Sequence, residues 1–166
     1  MKIVWILMVV MALITTKADA SDSRKDDSDS RCGNRKSFVR SDQLTILALT
    51  ADQRLVSFRE CNPTLARDIG IVRGLQAPDT MLVGIDFRVQ DGQLYGVGNG
   101  GGIYTIDTYT AVVTLVQNLT VGLDGYFFGV DFNPAANALR IISNTGQNLR
   151  QPFAGPLAGQ TQTDGA

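Results

Sequence analysis

Two aspartates occupy equivalent points of one repeated motif, and their side chains suit two kinds of chemistry. Asp86 lies in GIDF and Asp131 in GVDF, about 45 residues further on. An aspartate between buried strand residues usually accepts hydrogen bonds from backbone amides of a neighbouring turn, which here would join one sheet to the next. The alternative is a calcium site, because Ca²⁺ takes carboxylate and carbonyl oxygens. The pattern favours the structural tie, and it leaves Asp86 and Asp131 as the candidate metal ligands.

A glycine-rich segment between these aspartates fits a phosphate-binding pattern in letters only. Gly96 to Gly101 reads GVGNGG and matches G-x-G-x-x-G. The residues that follow, IYTID, are typical of a strand, so no helix N-terminus would meet a pyrophosphate. We therefore predict a glycine-rich hairpin loop and no bound dinucleotide.

The composition excludes several catalytic classes. The chain of 166 residues contains no histidine, so Ser-His-Asp and Cys-His sites are impossible, and Glu60 is its one glutamate. Histidine is the side chain best suited to acid and base catalysis near neutral pH. A net charge of -1 also disfavours nucleic acid as a partner.

The elements that would position these residues are short β-strands. From Leu44 onwards, segments rich in Val, Ile, Tyr, Phe and Thr alternate with Asp-Gly, Gly-Gly and Asn-Pro turn signals. No segment of the mature chain keeps a helical period, so the sequence predicts an all-β fold. The segments MLVGIDF, QLYGV, IYTID and VVTLV form one complete unit, the size of a propeller blade.

The repeat period of about 45 residues predicts a propeller-like array of four-stranded antiparallel sheets. The first unit is expected to lack its opening strand, and the third to end before a fourth strand. Because closed propellers have about four blades or more, the array would be an incomplete propeller. Three readings stay open: the front of a longer protein, association with another copy through open sheet edges, or an open array.

The aromatic residues of the repeats are expected to pack between adjacent sheets. Alternation within strands places them in an apolar layer more readily than on a binding face. Tyr109 lies in a turn and is expected to be exposed. The residues assigned to the apolar layer are Tyr95, Tyr104, Tyr126, Phe127, Phe128 and Phe132.

The N-terminal residues predict export. Residues 1–20 resemble a signal peptide, with Lys2, an apolar run from Ile3 to Ile14, and an A-x-A cleavage site. We expect a secreted, extracellular protein without membrane association once the leader is cleaved. Residues 21–40 are polar and of mixed charge, which predicts a disordered arm before a β-repeat domain over residues 41–166.

Two covalent modifications follow from export. Cys32 and Cys61 are the two cysteines, and in a secreted chain they most economically form one disulfide; intermolecular pairing and free thiols are the alternatives. Asn118-Leu119-Thr120 is an acceptor for N-glycosylation, whereas Asn62-Pro63-Thr64 is excluded by its proline.

The motifs in combination resemble the secreted family catalogued as domain of unknown function 4394. The resemblance runs from Leu44 to about Gly165 and implies a propeller-like β-repeat fold in exported proteins, with no assigned reaction or ligand. The segments that carry it are LVGIDFR (82–88), GQLYGVG (92–98), IYTIDT (103–108), and FGVDFNP with LRIISNTGQNLR (128–150).

By elimination, the sequence predicts a non-catalytic module that binds or scaffolds an unknown extracellular ligand. A calcium-dependent propeller hydrolase that uses aspartate carboxylates is the alternative. A third reading is a truncated fragment without a separate function.

Overall fold

The computed structural model describes residues 10–13 and 44–165. These residues form twelve β-strands and the turns that connect them. None of them builds a helix that is long and apolar enough to cross a membrane. The predicted arm at residues 21–40 and the side chain of Cys32 lie outside the described residues.

The strands form three antiparallel sheets of four strands each, and none of the sheets closes on itself. Sheet 1 contains β1 (Val10–Leu13), β2 (Thr45–Leu49), β3 (Arg54–Arg59) and β4 (Asn62–Ile71). Sheet 2 contains β5 (Leu82–Arg88), β6 (Gln93–Gly98), β7 (Gly102–Ile106) and β8 (Val113–Asn118). Sheet 3 contains β9 (Phe128–Asn133), β10 (Ala138–Ser143), β11 (Asn148–Pro152) and β12 (Gln162–Thr163). The all-β prediction is confirmed.

The turns between strands form where the sequence carries turn residues. Gly92 has a positive φ of 68°, and the carboxylate of Asp91 accepts a hydrogen bond of 3.0 Å from the Gln93 amide. The carboxylate of Asp107 accepts bonds from the amides of Tyr109 (2.8 Å) and Thr110 (3.0 Å). These local side-chain bonds replace ladder bonds and reverse the chain between strands.

Two predictions about missing strands are wrong. Sheet 1 has an opening strand, because Val10–Leu13 of the expected leader pairs antiparallel with β2, from Val10 opposite Leu49 to Leu13 opposite Ile46. An unpaired sheet edge presents amides and carbonyls that an extended segment satisfies. Sheet 3 likewise has a fourth strand, since the two residues of β12 pair with Leu149 and Arg150 of β11.

Sheet 2 is buried on both faces because sheet 1 packs against one face and sheet 3 against the other. Consecutive side chains of a strand point to opposite sides and so enter different cores. In β6, Leu94 packs in the core that sheet 2 shares with sheet 1, and Tyr95 packs in the core that it shares with sheet 3. The first core includes Leu47, Leu49, Leu55, Ile85, Tyr104 and Ile106. The second includes Val97, Ile103, Phe128, Val130, Phe132, Leu139, Ile141 and Leu149.

The opening strands of successive sheets lie next to each other. β5 contacts β1 on one side and β9 on the other. The starts of β5 and β9 therefore come close to the turn that follows β2, and this end of the three sheets forms the site described next.

Candidate binding groove

A groove of about 230 Å³ lies where the three sheets meet. Sheet 1 contributes Leu49 to Ala51 and Gln53, from the end of β2 and the turn after it. Sheet 2 contributes Met81 to Val83, and sheet 3 contributes Tyr126 to Phe128. Because each wall comes from a different sheet, the groove exists only when all three sheets pack together.

Three large apolar side chains of the groove are exposed to solvent. Tyr126 is 87% exposed, Phe127 is 65% exposed and Met81 is 41% exposed. Single exposed apolar residues are ordinary on protein surfaces, but a cluster in one concave place is typical of an interaction site. The clustered exposed side chains therefore make the groove a candidate interaction site.

Two equivalent asparagines hold the walls of the groove in place. The Asn144 side-chain oxygen accepts hydrogen bonds from the amides of Tyr126 (2.9 Å) and Phe127 (3.1 Å). One repeat earlier, the Asn99 oxygen accepts bonds from the amides of Thr80 (2.8 Å) and Met81 (3.2 Å). The repeat alignment pairs these asparagines, so the sequence shows their equivalence; their role in fixing the approach to β5 and β9 appears only in the structure.

The floor of the groove is fixed by Gln53, which joins sheet 1 to sheet 2. Its side-chain oxygen accepts a bond of 2.7 Å from the Leu82 amide, and its nitrogen donates one of 3.1 Å to the Leu82 carbonyl. Thr50 is engaged with Asp52 (2.5 Å) and with the Arg54 amide (3.0 Å). The lining contains no carboxylate, amine or thiol, and apart from the Tyr126 phenol and the polar groups of Gln53 and Thr50 its side chains are apolar.

Asp86 makes the expected tie between sheets, with a different donor. Its carboxylate accepts a hydrogen bond of 2.6 Å from the Phe132 amide, which belongs to strand β9 and not to a turn. The pKa of Asp86 is raised overall, mainly by burial and to a smaller extent by the charge of Asp131. Hydrogen bonds from the amides of Phe132 and Phe87 oppose this shift. Asp131 is exposed and has no hydrogen-bond donor among the described residues.

For the calcium hypothesis, the structure brings two candidate carboxylate ligands near each other. Asp86 and Asp131 lie on neighbouring opening strands, close enough for their charges to interact. Among the described residues there is no group of three or more Asp, Glu, Cys or His side chains placed to hold a metal ion.

The glycine-rich loop binds an anion from its own chain, the carboxylate of Asp79. The Gly100 amide and the Gly102 amide (3.1 Å) both donate to this carboxylate, and so does the Tyr104 hydroxyl (2.6 Å). A hairpin turn joins β6 and β7 as predicted, but it is shorter than the predicted loop because Gly96 to Gly98 belong to β6. Gly101 has the positive φ (98°) that such a turn requires. Asp79 itself was missed, because one acid between Pro78 and Thr80 has no distinctive pattern.

The prediction for the aromatic residues is right for four and wrong for two. Tyr95, Tyr104, Phe128 and Phe132 are buried, and Tyr95 and Phe132 form an edge-to-face pair with centroids 5.3 Å apart. Tyr126 and Phe127 are exposed because they precede the ladder of β9, where alternation no longer decides burial. Tyr109 is 90% exposed, as expected.

Tyr109 lies at the rim of a second, wider depression of about 610 Å³ on sheet 2. Phe87, Leu94 and Ile106 contribute apolar surface, and Gln93, Thr105 and Thr114 contribute polar groups. This depression is formed by one sheet alone, unlike the groove.

The predicted modification sites occupy exposed positions. Asn118 is exposed at the end of β8, and Cys61 is exposed in the turn between β3 and β4. Glycosylation of Asn118 and the bond between Cys32 and Cys61 stay predictions.

Comparison with known proteins identifies the family. The profile of the family described as domain of unknown function (DUF4394) matches residues 54–166, which is more than half of the chain. The chain belongs to the DUF4394 family. The resemblance drawn from the repeated motifs is confirmed, with a match that begins at β3 rather than at Leu44. No curated protein matches the chain. In this DUF4394 protein, two of the three walls of the groove lie in the matched residues, and the wall formed by Leu49 to Gln53 precedes them.

Proposed function

We propose that this DUF4394 protein is a secreted, non-catalytic module that binds an extracellular protein partner through the groove. The observation that carries the proposal is the exposure of Tyr126, Phe127 and Met81 around one depression to which all three sheets contribute. The predicted leader supports export, and the lack of histidine supports a binding role over catalysis.

A propeller-like arrangement of the sheets is part of the proposal. It is supported by the adjacent opening strands, by the equivalent roles of Asn99 and Asn144, and by the tie from Asp86 to the next sheet. Stacked repeats create extended concave surfaces that these proteins use for binding.

The volume of the groove indicates what it accepts. Pockets for small molecules usually measure about 300–1,000 Å³, and this groove measures about 230 Å³. That space suits one large apolar side chain from a protein partner, the kind of anchor that dominates many interfaces. Exposed tyrosine and phenylalanine would then cover the surface around the anchor, as aromatic residues do at interface cores.

The chemistry of the anchor follows from the lining. The polar groups of Gln53 and Thr50 already have partners, so a charged group would enter without compensation. We therefore expect an uncharged aromatic or branched aliphatic side chain on an extracellular protein.

The test uses N-acetyl-tryptophanamide as a mimic of an anchoring side chain. Amide NMR spectra of the full chain should show saturable shifts at Met81, Leu82 and Phe128, and the double variant Tyr126→Ala/Phe127→Ala should lose them. Tyr109→Ala removes an equally exposed tyrosine elsewhere and should leave them unchanged.

A second measurement identifies the partner. A photo-crosslinking amino acid at position 126 should trap one extracellular protein, and the same group at position 109 should not. Equal trapping at both positions would contradict binding at the groove. Substrate turnover that a point mutation abolishes would contradict a non-catalytic role.

A further inference from the structure

Strand β9 carries a glycine and an aspartate at the positions where β5 uses the same two residue types to contact the next sheet. Gly84 and Asp86 of β5 correspond to Gly129 and Asp131 of β9 in the repeat alignment. Strand pairing gives the same correspondence, since Asp86 lies opposite Tyr95 and Asp131 lies opposite Arg140, its repeat equivalent. The two strands can therefore be compared residue by residue.

On β5, both features are required by the approach of sheet 3. Gly84 is buried, and a Cβ atom added there would lie 2.8 Å from the Cβ of Val130, closer than carbon atoms can pack. Asp86 accepts the Phe132 amide at 2.6 Å, which satisfies a donor of β9. Glycine and aspartate at these positions thus allow an opening strand to pack closely and to be bonded.

On β9, the same two residues have no corresponding contact among the described residues. Nothing lies within 4 Å of a Cβ added at Gly129. Asp131 is exposed, and none of the described residues donates a hydrogen bond to it. A strand alone does not require either residue, since glycine weakens a strand interior and aspartate is disfavoured there.

The rest of this outer face of sheet 3 differs from the covered face of sheet 2. Arg140, Ile142 and Asn148 stand where sheet 2 has Tyr95, Val97 and Ile103. Arg140 and Arg150 both pair with Asp164, at 2.9 and 3.3 Å. Such a face can be solvated when it is uncovered.

An arginine on this face is also compatible with an aromatic neighbour. Between sheets 2 and 3, the Arg88 guanidinium lies 5.1 Å from the centre of the Phe153 ring. In the same interface, Tyr95 packs against Phe132 and Phe153. Arg140, the equivalent of Tyr95, could therefore cover the rings of a sheet that carries phenylalanine at these two positions, through cation–π contact.

We propose that the outer face of sheet 3 is a docking surface for a fourth sheet of this same repeat type, supplied by a partner polypeptide. The opening strand of the partner packs a β-branched side chain against Gly129, and one of its backbone amides donates a hydrogen bond to Asp131. Its aromatic rings lie against the Arg140 guanidinium in a cation–π contact. This surface is separate from the groove, so the proposal does not depend on the proposed function.

The experiment supplies such a sheet and asks whether Gly129 becomes covered. The full chain is compared with an extended chain in which a second copy of residues 121–165 follows Ala166. Gly129→Ala should leave the melting temperature of the original chain unchanged and lower that of the extended chain by roughly 3–10 °C, as overpacking does in a covered interface. Asp131→Ala should follow the same pattern.

Two further variants calibrate the comparison. Gly84→Ala, which meets Val130 in both chains, should lower both melting temperatures. Gly122→Ala, at an open and exposed position, should lower neither.

The appended residues should also show dispersed amide resonances. Random-coil resonances from the appended copy, or an effect of Gly129→Ala that is equal in the two chains, would overturn the proposal.

Discussion

The Tyr104 hydroxyl donates a hydrogen bond of 2.6 Å to the carboxylate of Asp79, and both side chains are buried. The same hydroxyl accepts a bond of 3.2 Å from the Gln76 amide. Burial raises the pKa of Tyr104, and the bond to Asp79 raises it further, so the phenol keeps its proton as the donor. One residue of β7 thereby fixes the chain that leads into β5.

Removal of that hydroxyl should destabilise the fold. In Tyr104→Phe, the carboxylate of Asp79 loses a donor and the Gln76 amide loses an acceptor in a buried place. We expect the free energy of unfolding in urea to fall by about 1.5–3 kcal/mol. Tyr126→Phe removes a hydroxyl from a side chain that is 87% exposed and should change stability by less than about 0.5 kcal/mol. Equal losses in the two variants would contradict a structural role for the Tyr104 hydroxyl.

Alanine should have opposite consequences at two glycines that are equivalent in the repeat. Gly84→Ala forces a methyl group against Val130, and overpacking of this kind costs about 1–3 kcal/mol. Gly129→Ala adds a methyl group in open space and should be neutral or slightly stabilising. Thermal unfolding of both variants provides the measurement, and a large loss in Gly129→Ala would show that its face is already covered.

Asp86 should make stability depend on pH in a defined direction. The pKa of Asp86 is raised in the folded protein. The contribution of the protonated Asp86 to the free energy of unfolding is therefore complete below the pKa of Asp86 in the unfolded chain, and it is lost as pH rises through the pKa in the folded protein. Asp86→Asn keeps an oxygen for the Phe132 amide and does not ionise. Its stability relative to the wild type should therefore increase between about pH 3.5 and pH 7.

Two comparisons separate ionisation from the loss of the hydrogen bond. Asp86→Ala leaves the Phe132 amide without its acceptor and should cost about 1–3 kcal/mol. Asp131→Asn removes the neighbouring charge that raises the pKa of Asp86 but leaves Asp86 ionisable, so it should show a smaller gain in the same direction. A flat difference between Asp86→Asn and the wild type across the pH range would refute the expected titration.

Asn144 should control the order of the groove more than global stability. Asn144→Ala removes the acceptor for the amides of Tyr126 and Phe127, and we expect hydrogen exchange at these two amides to accelerate by about tenfold. Asn133→Ala removes a similar acceptor for the amides of Ala135 and Ala136, in the turn after β9. It should accelerate exchange in that turn and leave the groove unchanged.

The sequence predicted strands well where a repeated pattern constrained them. ALRIIS coincides with β10, and the turn between β6 and β7 falls in the second half of the predicted loop at Gly96 to Gly101, because alternation and turn chemistry are local properties. The Asp86 tie also followed from its setting between buried residues. Such features require no knowledge of which segments meet in space.

The groove could not be predicted in the same way. Phe127 and Phe128 are adjacent and chemically identical, yet Phe128 is buried and Phe127 is exposed, because β9 begins between them. Asp79 and Gln53 act on residues about 20 to 30 positions away, through contacts that depend on packing between elements. The role of Val10–Leu13 was missed because a leader pattern and a strand pattern are both apolar runs.

Strand β1 lies within the predicted leader and is also part of sheet 1. The four residues that complete sheet 1 lie in the segment that we predict to be a cleaved leader. Cleavage after Ala20 would take one strand away and leave the backbone of Ile46 to Leu49 with an unfilled ladder, a state that readily recruits another extended polypeptide. If the predicted cleavage occurs, the uncleaved and the cleaved chain are expected to differ in their tendency to associate through this edge of sheet 1.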